Sequence, residues 1–221
     1  MNILVVAPHA DDEILGVGGT IAKYVDEGHN VYVCIVTTGH SSMYSKAYLD
    51  QVRSEVESAH QYLNIKETYF LNFPAVLIGE VPKYEINEKI SKVIDEVKPR
   101  IVFLPHFGDM HLDHLLVSQS AMVAVRPIKE HKVLEVYSYE VLSETEWNVP
   151  HVKNAFIPNT YVDISNYIDT KLKAMSFFKT QLKIFPHPRS LEAIEALSKF
   201  RGSTVGVNYA EAFCLIRKII I

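Results

Sequence analysis

Residues 3–13 read ILVVAPHADDE, and this stretch near the start of the chain decides the fold. Its apolar, largely β-branched beginning, Ile3–Ala7, predicts a short buried strand. Apolar residues then recur at helical spacing from about residue 12 to residue 27, and Gly28 follows them as a helix stop signal. A strand joined to a helix by only a few residues is typical of the βαβ units that build parallel sheets.

The rest of the chain continues this alternation. Apolar runs predict further strands at residues 31–37, 68–71, 101–104, 133–139, 161–164 and 212–219. Helical spacing predicts helices at residues 49–63, 85–97, 113–125, 167–181 and 191–200. The pattern predicts an α/β protein with a Rossmann-like three-layer fold, in which helices cover both faces of a mainly parallel sheet. Ligands of such sheets bind beyond the carboxyl ends of the strands, which directs attention to the residues after Ala7 and after Leu104.

Size and composition indicate one soluble globular domain, residues 1–221, with 48% hydrophobic and 22% charged residues. The formal net charge of −4 disfavours a nucleic-acid partner, because surfaces that bind phosphate backbones are strongly basic. We expect no membrane span, since no apolar run is long enough, and no signal peptide, since no basic leader precedes the first strand. Two cysteines in apolar runs, Cys34 and Cys214, predict free thiols and a cytoplasmic location. The oligomeric state is left open.

Three consecutive acids, Asp11, Asp12 and Glu13, follow the first strand, and no Lys or Arg occurs before Lys23. Each acid alone has a structural interpretation, because carboxylates are favoured at helix N-termini. Together they repel one another, which raises their pKa values or requires a cation. A helix N-terminus offsets only about half an elementary charge. The cluster, which His9 precedes, therefore predicts a bound metal ion.

A second polar cluster, Asp109–His114, follows the strand at residues 101–104. His111 and His114 are three residues apart, so on a helical turn they face the same way, and one can bind metal while the other faces substrate. Asp113 can orient a histidine through its second nitrogen. Two histidines and one carboxylate with a fourth position open are typical of catalytic zinc, although iron is also compatible.

The two clusters resemble the signatures of the PIG-L/LmbE-like N-deacetylases, zinc enzymes that hydrolyse N-acetylglucosamine-type amides. Residues 8–13 match the family pattern (P/A)-H-x-D-D-E, and residues 111–114 match H-x-D-H. The resemblance continues through Gly18–Thr20, the helix around Arg53 and residues 209–213, and so covers essentially the whole chain. It implies a zinc-dependent amide hydrolase that removes the N-acetyl group from an amino sugar or its conjugate.

The resemblance also implies a role for individual residues. The implied metal ligands are His9, Asp12 and His114. The implied catalytic residues are Asp11 as general base, His111 as oxyanion stabiliser or proton donor to the leaving amine, and Asp113 as a support for the histidines. Arg53 and Asp109 are expected to contact the substrate. His40 stands after Thr37-Thr38-Gly39, where many members carry an acid, so the sugar and its aglycone are left open.

Two other functions compete with this hypothesis. A non-catalytic metal- or sugar-binding module could share the fold. The run Gly16–Gly19 invites a nucleotide-binding oxidoreductase, but the dinucleotide signature requires glycines at the strand-to-helix turn, where this chain has three acids. A serine-nucleophile hydrolase is disfavoured because no G-x-S-x-G occurs. A further loop, Pro186–Pro188, is predicted to be rigid and exposed, with His187 at the surface or at the rim of the pocket.

Overall fold

The structure, a computed structural model, describes residues 1–221. It contains seven strands: β1 Asn2–Ala7, β2 Asn30–Thr38, β3 Glu67–Pro74, β4 Ile101–Pro105, β5 Glu135–Tyr139, β6 Thr160–Asp163 and β7 Ala210–Lys218. The α-helices are α1 Asp12–Asp26, α2 Lys46–Tyr62, α3 Lys83–Val97, α4 Leu112–Ala124, α5 Ile168–Met175 and α6 Leu191–Ser203, and a short 3₁₀ helix spans Ile78–Glu80.

All strands belong to one sheet, in the order β3-β2-β1-β4-β5-β7-β6. Strands β1 to β5 are parallel, and β7 runs antiparallel to both β5 and β6. This architecture confirms the predicted Rossmann-like fold with a mainly parallel sheet. The chain leaves β1 toward β2 on one side and leaves β4 toward β5 on the other. The loops that follow β1 and β4 therefore flank the crevice where the crossovers diverge, and this crevice is the usual ligand position in such sheets.

Two hydrophobic clusters fill the space on the two faces of the sheet. In β1, Ile3 and Val5 face one cluster, which α1, α2, α5 and α6 cover. Leu4 and Val6 face the other cluster, which α3 and α4 cover. All four side chains are fully buried, as expected of a central parallel strand. Strand β1 is therefore held between two packed layers, and this packing positions the residues that follow it.

Helices α2, α5 and α6 each differ from the sequence prediction by three or more residues at one boundary, and α6 ends at Ser203 rather than residue 200. Helix α2 begins at Lys46 rather than residue 49, because the Ser45 side chain accepts a hydrogen bond from the backbone N–H of Tyr48 and caps the helix. Helix α5 ends at Met175, so the predicted extension to residue 181 is wrong. The Thr180 N–H and hydroxyl instead donate to the Glu55 carboxylate of α2, and these tertiary bonds replace the helical continuation.

The glycines of α1 lie against neighbouring side chains. A Cβ atom added to Gly19 would stand 2.7 Å from Ile164, and one added to Gly16 would overlap the Tyr139 ring. These glycines therefore permit close packing of α1 and are not at the strand-to-helix turn. Cys34 and Cys214 are both free. None of the helices combines the length and the apolarity that a membrane crossing requires.

Candidate metal centre and active site

Three donor atoms from the two predicted clusters meet at the crevice. The His9 Nδ1 atom lies 3.3 Å from Asp12 Oδ2, His114 Nε2 lies 3.2 Å from the same oxygen, and the two nitrogens are 3.3 Å apart. Tetrahedral zinc with bonds of about 2.0–2.1 Å separates its ligand atoms by about 3.3–3.4 Å. Asp12 Oδ1 is buried without a hydrogen-bond partner. The donor set and its spacing therefore fit a divalent metal ion.

The second nitrogen of each ligand histidine is held by a carboxylate. His9 Nε2 lies 3.0 Å from Asp113 Oδ2, which also accepts from the Val76 N–H at 2.8 Å. His114 Nδ1 lies 2.8 Å from Asp109 Oδ2. These contacts fix the orientation of both rings and are typical of histidines that bind metal.

Asp109 is placed behind His114 rather than in the cavity. It is buried, and its second oxygen accepts a 2.6 Å hydrogen bond from the Thr145 hydroxyl. This placement favours a role in orienting His114, whereas the substrate contact expected of Asp109 stays a prediction. Asp113 lies where the predicted support of a ligand histidine requires it.

In this cluster, the carboxylates and the two ligand histidines stabilise each other's charged forms. Burial disfavours the charged forms of both ligand histidines, but the neighbouring carboxylates outweigh it and raise the pKa of His9 to about 9 and that of His114 to about 10. Burial raises the pKa of Asp12, yet the two histidines hold it well below its usual range. A cation that binds here takes the place of the histidine protons and neutralises the same carboxylates.

Asp11, the predicted general base, stands directly before α1 with φ 102° and ψ −27°. This left-handed backbone conformation is uncommon for a residue with a side chain. The side chain is buried, and its Oδ2 atom has no hydrogen-bond partner. Burial raises the pKa of Asp11 to about 8, although the Arg189 guanidinium, 3.4 Å from Oδ2, opposes this shift. The Oδ2 atom thus faces Arg189 in an ion pair but makes no hydrogen bond, so the carboxylate can still accept a proton.

His111 occupies the N-cap position of α4, and its Nδ1 atom accepts a 3.1 Å hydrogen bond from the Asp113 N–H. In the neutral ring, the proton is therefore on Nε2. Burial and the charge of His9 lower the pKa of His111 to about 4. The ring centroid lies 4.6 Å from that of His9. A neutral histidine next to the candidate metal centre can thus donate a hydrogen bond from Nε2.

A cavity of about 380 Å³ adjoins the centre. His9, Asp11 and His111 line one part of its wall, and the start of α2 supplies another part, including Tyr48 and Arg53. The Arg53 side chain is half exposed, forms a 3.0 Å ion pair with Glu57 and lies over the Phe70 ring at 3.1 Å. Arg53 therefore lines the cavity, and its contact with substrate stays a prediction.

Three charged residues of the cavity, Asp50, Glu144 and Arg189, were absent from the sequence prediction. The Arg189 guanidinium donates to Glu144 Oε1 at 3.2 Å and to the Ser143 hydroxyl at 2.7 Å. Arg189 directly follows the Pro186–Pro188 loop that the sequence placed at the surface or the pocket rim. His187 itself packs edge-on against Trp147 and does not line the cavity. Of the two alternatives for His187, the place at the pocket rim is thus not observed, and Arg189, two residues later, lines the cavity.

The fold and this site together define a Rossmann-like α/β protein with a candidate His–Asp–His metal centre at the switch point of its sheet. The model of the PIG-L family, described as GlcNAc-PI de-N-acetylase, matches residues 4–125, which contain both motifs. This chain belongs to that family, which confirms the resemblance seen in the sequence.

Named relatives and a solved structure agree with this membership. The chain is 27% identical over 192 residues to a probable N-acetyl-alpha-D-glucosaminyl L-malate deacetylase 2 of Bacillus anthracis, covering 81% of each protein. It is 24% identical to the diacetylchitobiose deacetylase of Thermococcus kodakarensis, with 95% of this chain and 81% of that protein covered. The crystal structure of the conserved protein TT1542 from Thermus thermophilus superposes with a TM-score of 0.78 at 29% identity, over 99% of this chain and 96% of that one. The chain is thus related to deacetylases of amino-sugar conjugates.

Proposed function

We propose that this protein is a metal-dependent amide hydrolase that removes the N-acetyl group from an N-acetylglucosamine-type amino sugar or its conjugate. The observation that carries the proposal is the convergence of His9 Nδ1, Asp12 Oδ2 and His114 Nε2 to within 3.3 Å of one another beside the cavity. The names of the relatives, which act on N-acetylglucosaminyl and diacetylchitobiose substrates, support the same reaction.

The residues that would hold the ion are His9, Asp12 and His114, with zinc as the first candidate and iron as a compatible second. A bound divalent ion would supply Lewis-acid chemistry, which polarises an amide carbonyl and lowers the pKa of water. Asp113 and Asp109 keep the two imidazoles in position for this role.

Asp11 acts as the general base in this proposal, because its side chain lines the cavity and its Oδ2 atom, which faces Arg189 at 3.4 Å, makes no hydrogen bond. It accepts a proton from the water molecule whose oxygen bonds to the acetyl carbon, and it passes this proton to the amine nitrogen as the carbon–nitrogen bond breaks. His111 donates a hydrogen bond from Nε2 to the oxygen on which negative charge develops, since its Nδ1 atom is occupied by the Asp113 N–H. Asp11 thus accepts a proton from the water molecule, whereas His111 donates a hydrogen bond to the oxygen on which negative charge develops.

The substrate is a small molecule. The cavity of about 380 Å³ falls within the usual range of ligand pockets, and it combines aromatic walls with a few charged groups. Tyr48 and Arg53 are placed to contact the sugar or the group attached to it. We also propose a cytoplasmic location, which the free thiols of Cys34 and Cys214 favour.

The test is a screen of N-acetylated sugars for release of acetate and free amine, run with one equivalent of zinc and repeated after chelation. We expect turnover of at least one N-acetylglucosamine conjugate that chelation abolishes and zinc restores. Binding of sugar and zinc without acetate release would instead identify a non-catalytic binding module. Turnover that survives complete metal removal would contradict the metal-dependent mechanism.

A further inference from the structure

A buried chain of hydrogen bonds connects β3 and α2 to the backbone of Asp11. The Thr68 hydroxyl lies 2.7 Å from His60 Nδ1, and His60 Nε2 lies 3.0 Å from Glu13 Oε1. The second oxygen, Glu13 Oε2, accepts a 3.2 Å hydrogen bond from the Asp11 N–H. We refer to Thr68, His60 and Glu13 as the Glu13 relay.

The relay supports a strained residue of the candidate active site. Asp11 has φ 102°, which residues with a Cβ atom rarely adopt, and such outliers persist only when surrounding contacts hold them. Its N–H group is buried and therefore needs an acceptor. Glu13 provides that acceptor and is itself fully buried. His60, also buried, limits the rotation of the Glu13 carboxylate.

We propose that Glu13 is a positioning residue for Asp11, and that His60 and Thr68 hold Glu13 in place for this purpose. The catalytic part of this inference rests on the proposed function, in which Asp11 is the general base. The relay residues do not line the cavity, so they act through Asp11 and not on the substrate. Relaxation of the Asp11 backbone would turn its carboxylate away from the cavity, while His9, Asp12 and His114 would still bind metal.

The proposal predicts opposite results for two substitutions of Glu13. In Glu13→Gln, the amide oxygen can still accept from the Asp11 N–H, while the amide NH₂ donates to His60 Nε2 and His60 Nδ1 donates to Thr68. In Glu13→Met, which has similar length, the Asp11 N–H loses its acceptor. We expect Glu13→Met to lower kcat at least 30-fold with KM within threefold of wild type and one zinc ion still bound. We expect Glu13→Gln to keep kcat within fivefold of wild type.

Thr68→Val provides a milder variant in case Glu13→Met does not fold, and Thr20→Val is its matched control. Thr20 is a buried residue of α1 whose hydroxyl has no hydrogen-bond partner, and its backbone N–H donates to Glu211 rather than to the relay. We expect Thr68→Val to lower kcat at least threefold relative to Thr20→Val, without a change in KM. Equal kcat values in these two variants would overturn the role of the outer relay residues.

The experiment has two parts. The first measures kcat and KM on N,N′-diacetylchitobiose and N-acetylglucosamine. The second measures the exchange rate of the Asp11 amide proton by NMR in protein labelled with ¹⁵N at aspartate. We expect an Asp11 amide proton that is strongly protected from exchange in wild type and Glu13→Gln, and at least tenfold less protected in Glu13→Met. Unchanged protection or unchanged kcat in Glu13→Met, or an equal loss of kcat in Glu13→Met and Glu13→Gln, would overturn the inference. If the wild-type protein releases no acetate, the proposed function fails, while the exchange measurement still decides whether the relay holds Asp11.

Discussion

At the scale of single residues, the role of Asp11 can be tested without loss of the fold. Asparagine tolerates positive φ better than most residues, so Asp11→Asn keeps the backbone at φ 102° while it removes the proton acceptor. General-base catalysis contributes about 10²–10⁴-fold, and we expect kcat to fall by that factor. Zinc content should stay at one ion per chain, as measured by atomic emission. Wild-type turnover in this variant would show that another group takes the proton.

The carboxylate behind His114 gives a second residue-scale prediction. Asp109→Asn replaces the charged acceptor of the 2.8 Å contact to His114 Nδ1 with a neutral one. Loss of such supporting contacts weakens metal binding by about 10–100-fold, and we expect a loss of this size in zinc competition with a chromophoric chelator. Asp95→Asn, at an exposed ion pair with Lys129, serves as control and should keep wild-type affinity. Equal affinities in the two variants would assign Asp109 another role, including the substrate contact predicted from the sequence.

The residues of the candidate metal centre could be selected from the sequence because they form two short local patterns. His9 and Asp12 lie three positions apart after one strand, and His111 and His114 lie three apart after another. Arg189 could not be predicted in the same way. Its distance from Asp11 depends on the path of the chain between α5 and α6, and no short sequence motif predicts that path.

At the scale of elements, Gly19 tests how closely α1 must pack. Alanine in a helix interior is favoured over glycine by about 1 kcal/mol, whereas overpacking costs about 1–3 kcal/mol. A Cβ atom at Gly19 would lie 2.7 Å from Ile164, so we expect the steric cost to prevail and the free energy of unfolding to fall by about 1 kcal/mol. Urea denaturation measures this change.

Gly79→Ala is the control for Gly19→Ala, because an added Cβ there meets only Leu116, at 3.7 Å. Its midpoint of unfolding should match wild type or lie higher. A Gly19→Ala protein as stable as Gly79→Ala would show that Ile164 moves aside without cost.

Element boundaries were predictable where local signals act alone. The apolar run of β1 and the stop signal at Gly28 led to the observed β1 and α1 within about one residue. The end of α5 was not predictable, because the apolar spacing continues past Met175 while Thr180 bonds to Glu55 of α2 instead of continuing the helix. Glu55 is 125 positions from Thr180 in sequence, so the residues around Met175 do not by themselves indicate this contact.

At the scale of the whole molecule, the topology brings the two motifs together. Strands β1 and β4 are adjacent and parallel, so the loops after them end at the same edge of the sheet, although His9 and His114 are 105 positions apart. Strand alternation predicted the parallel sheet and the position of the site. The antiparallel placement of β7 between β5 and β6 was not predicted, because alternation alone does not specify how the last strands return to the sheet.

A metal ion held by His9, Asp12 and His114 would link distant segments of the chain, and we therefore expect zinc to stabilise the whole fold. Zinc at 100 times its dissociation constant adds about 2.7 kcal/mol to the free energy of unfolding when it binds only the folded chain. For a protein of this size, each kcal/mol raises Tm by about 2–4 °C, so we expect zinc to raise Tm by roughly 5–10 °C in differential scanning calorimetry. His114→Gln should lose this response, whereas His151→Gln, at an exposed residue, should keep it. A zinc-dependent rise in Tm that is equal in all three proteins would place the stabilising ion outside the His9–Asp12–His114 site.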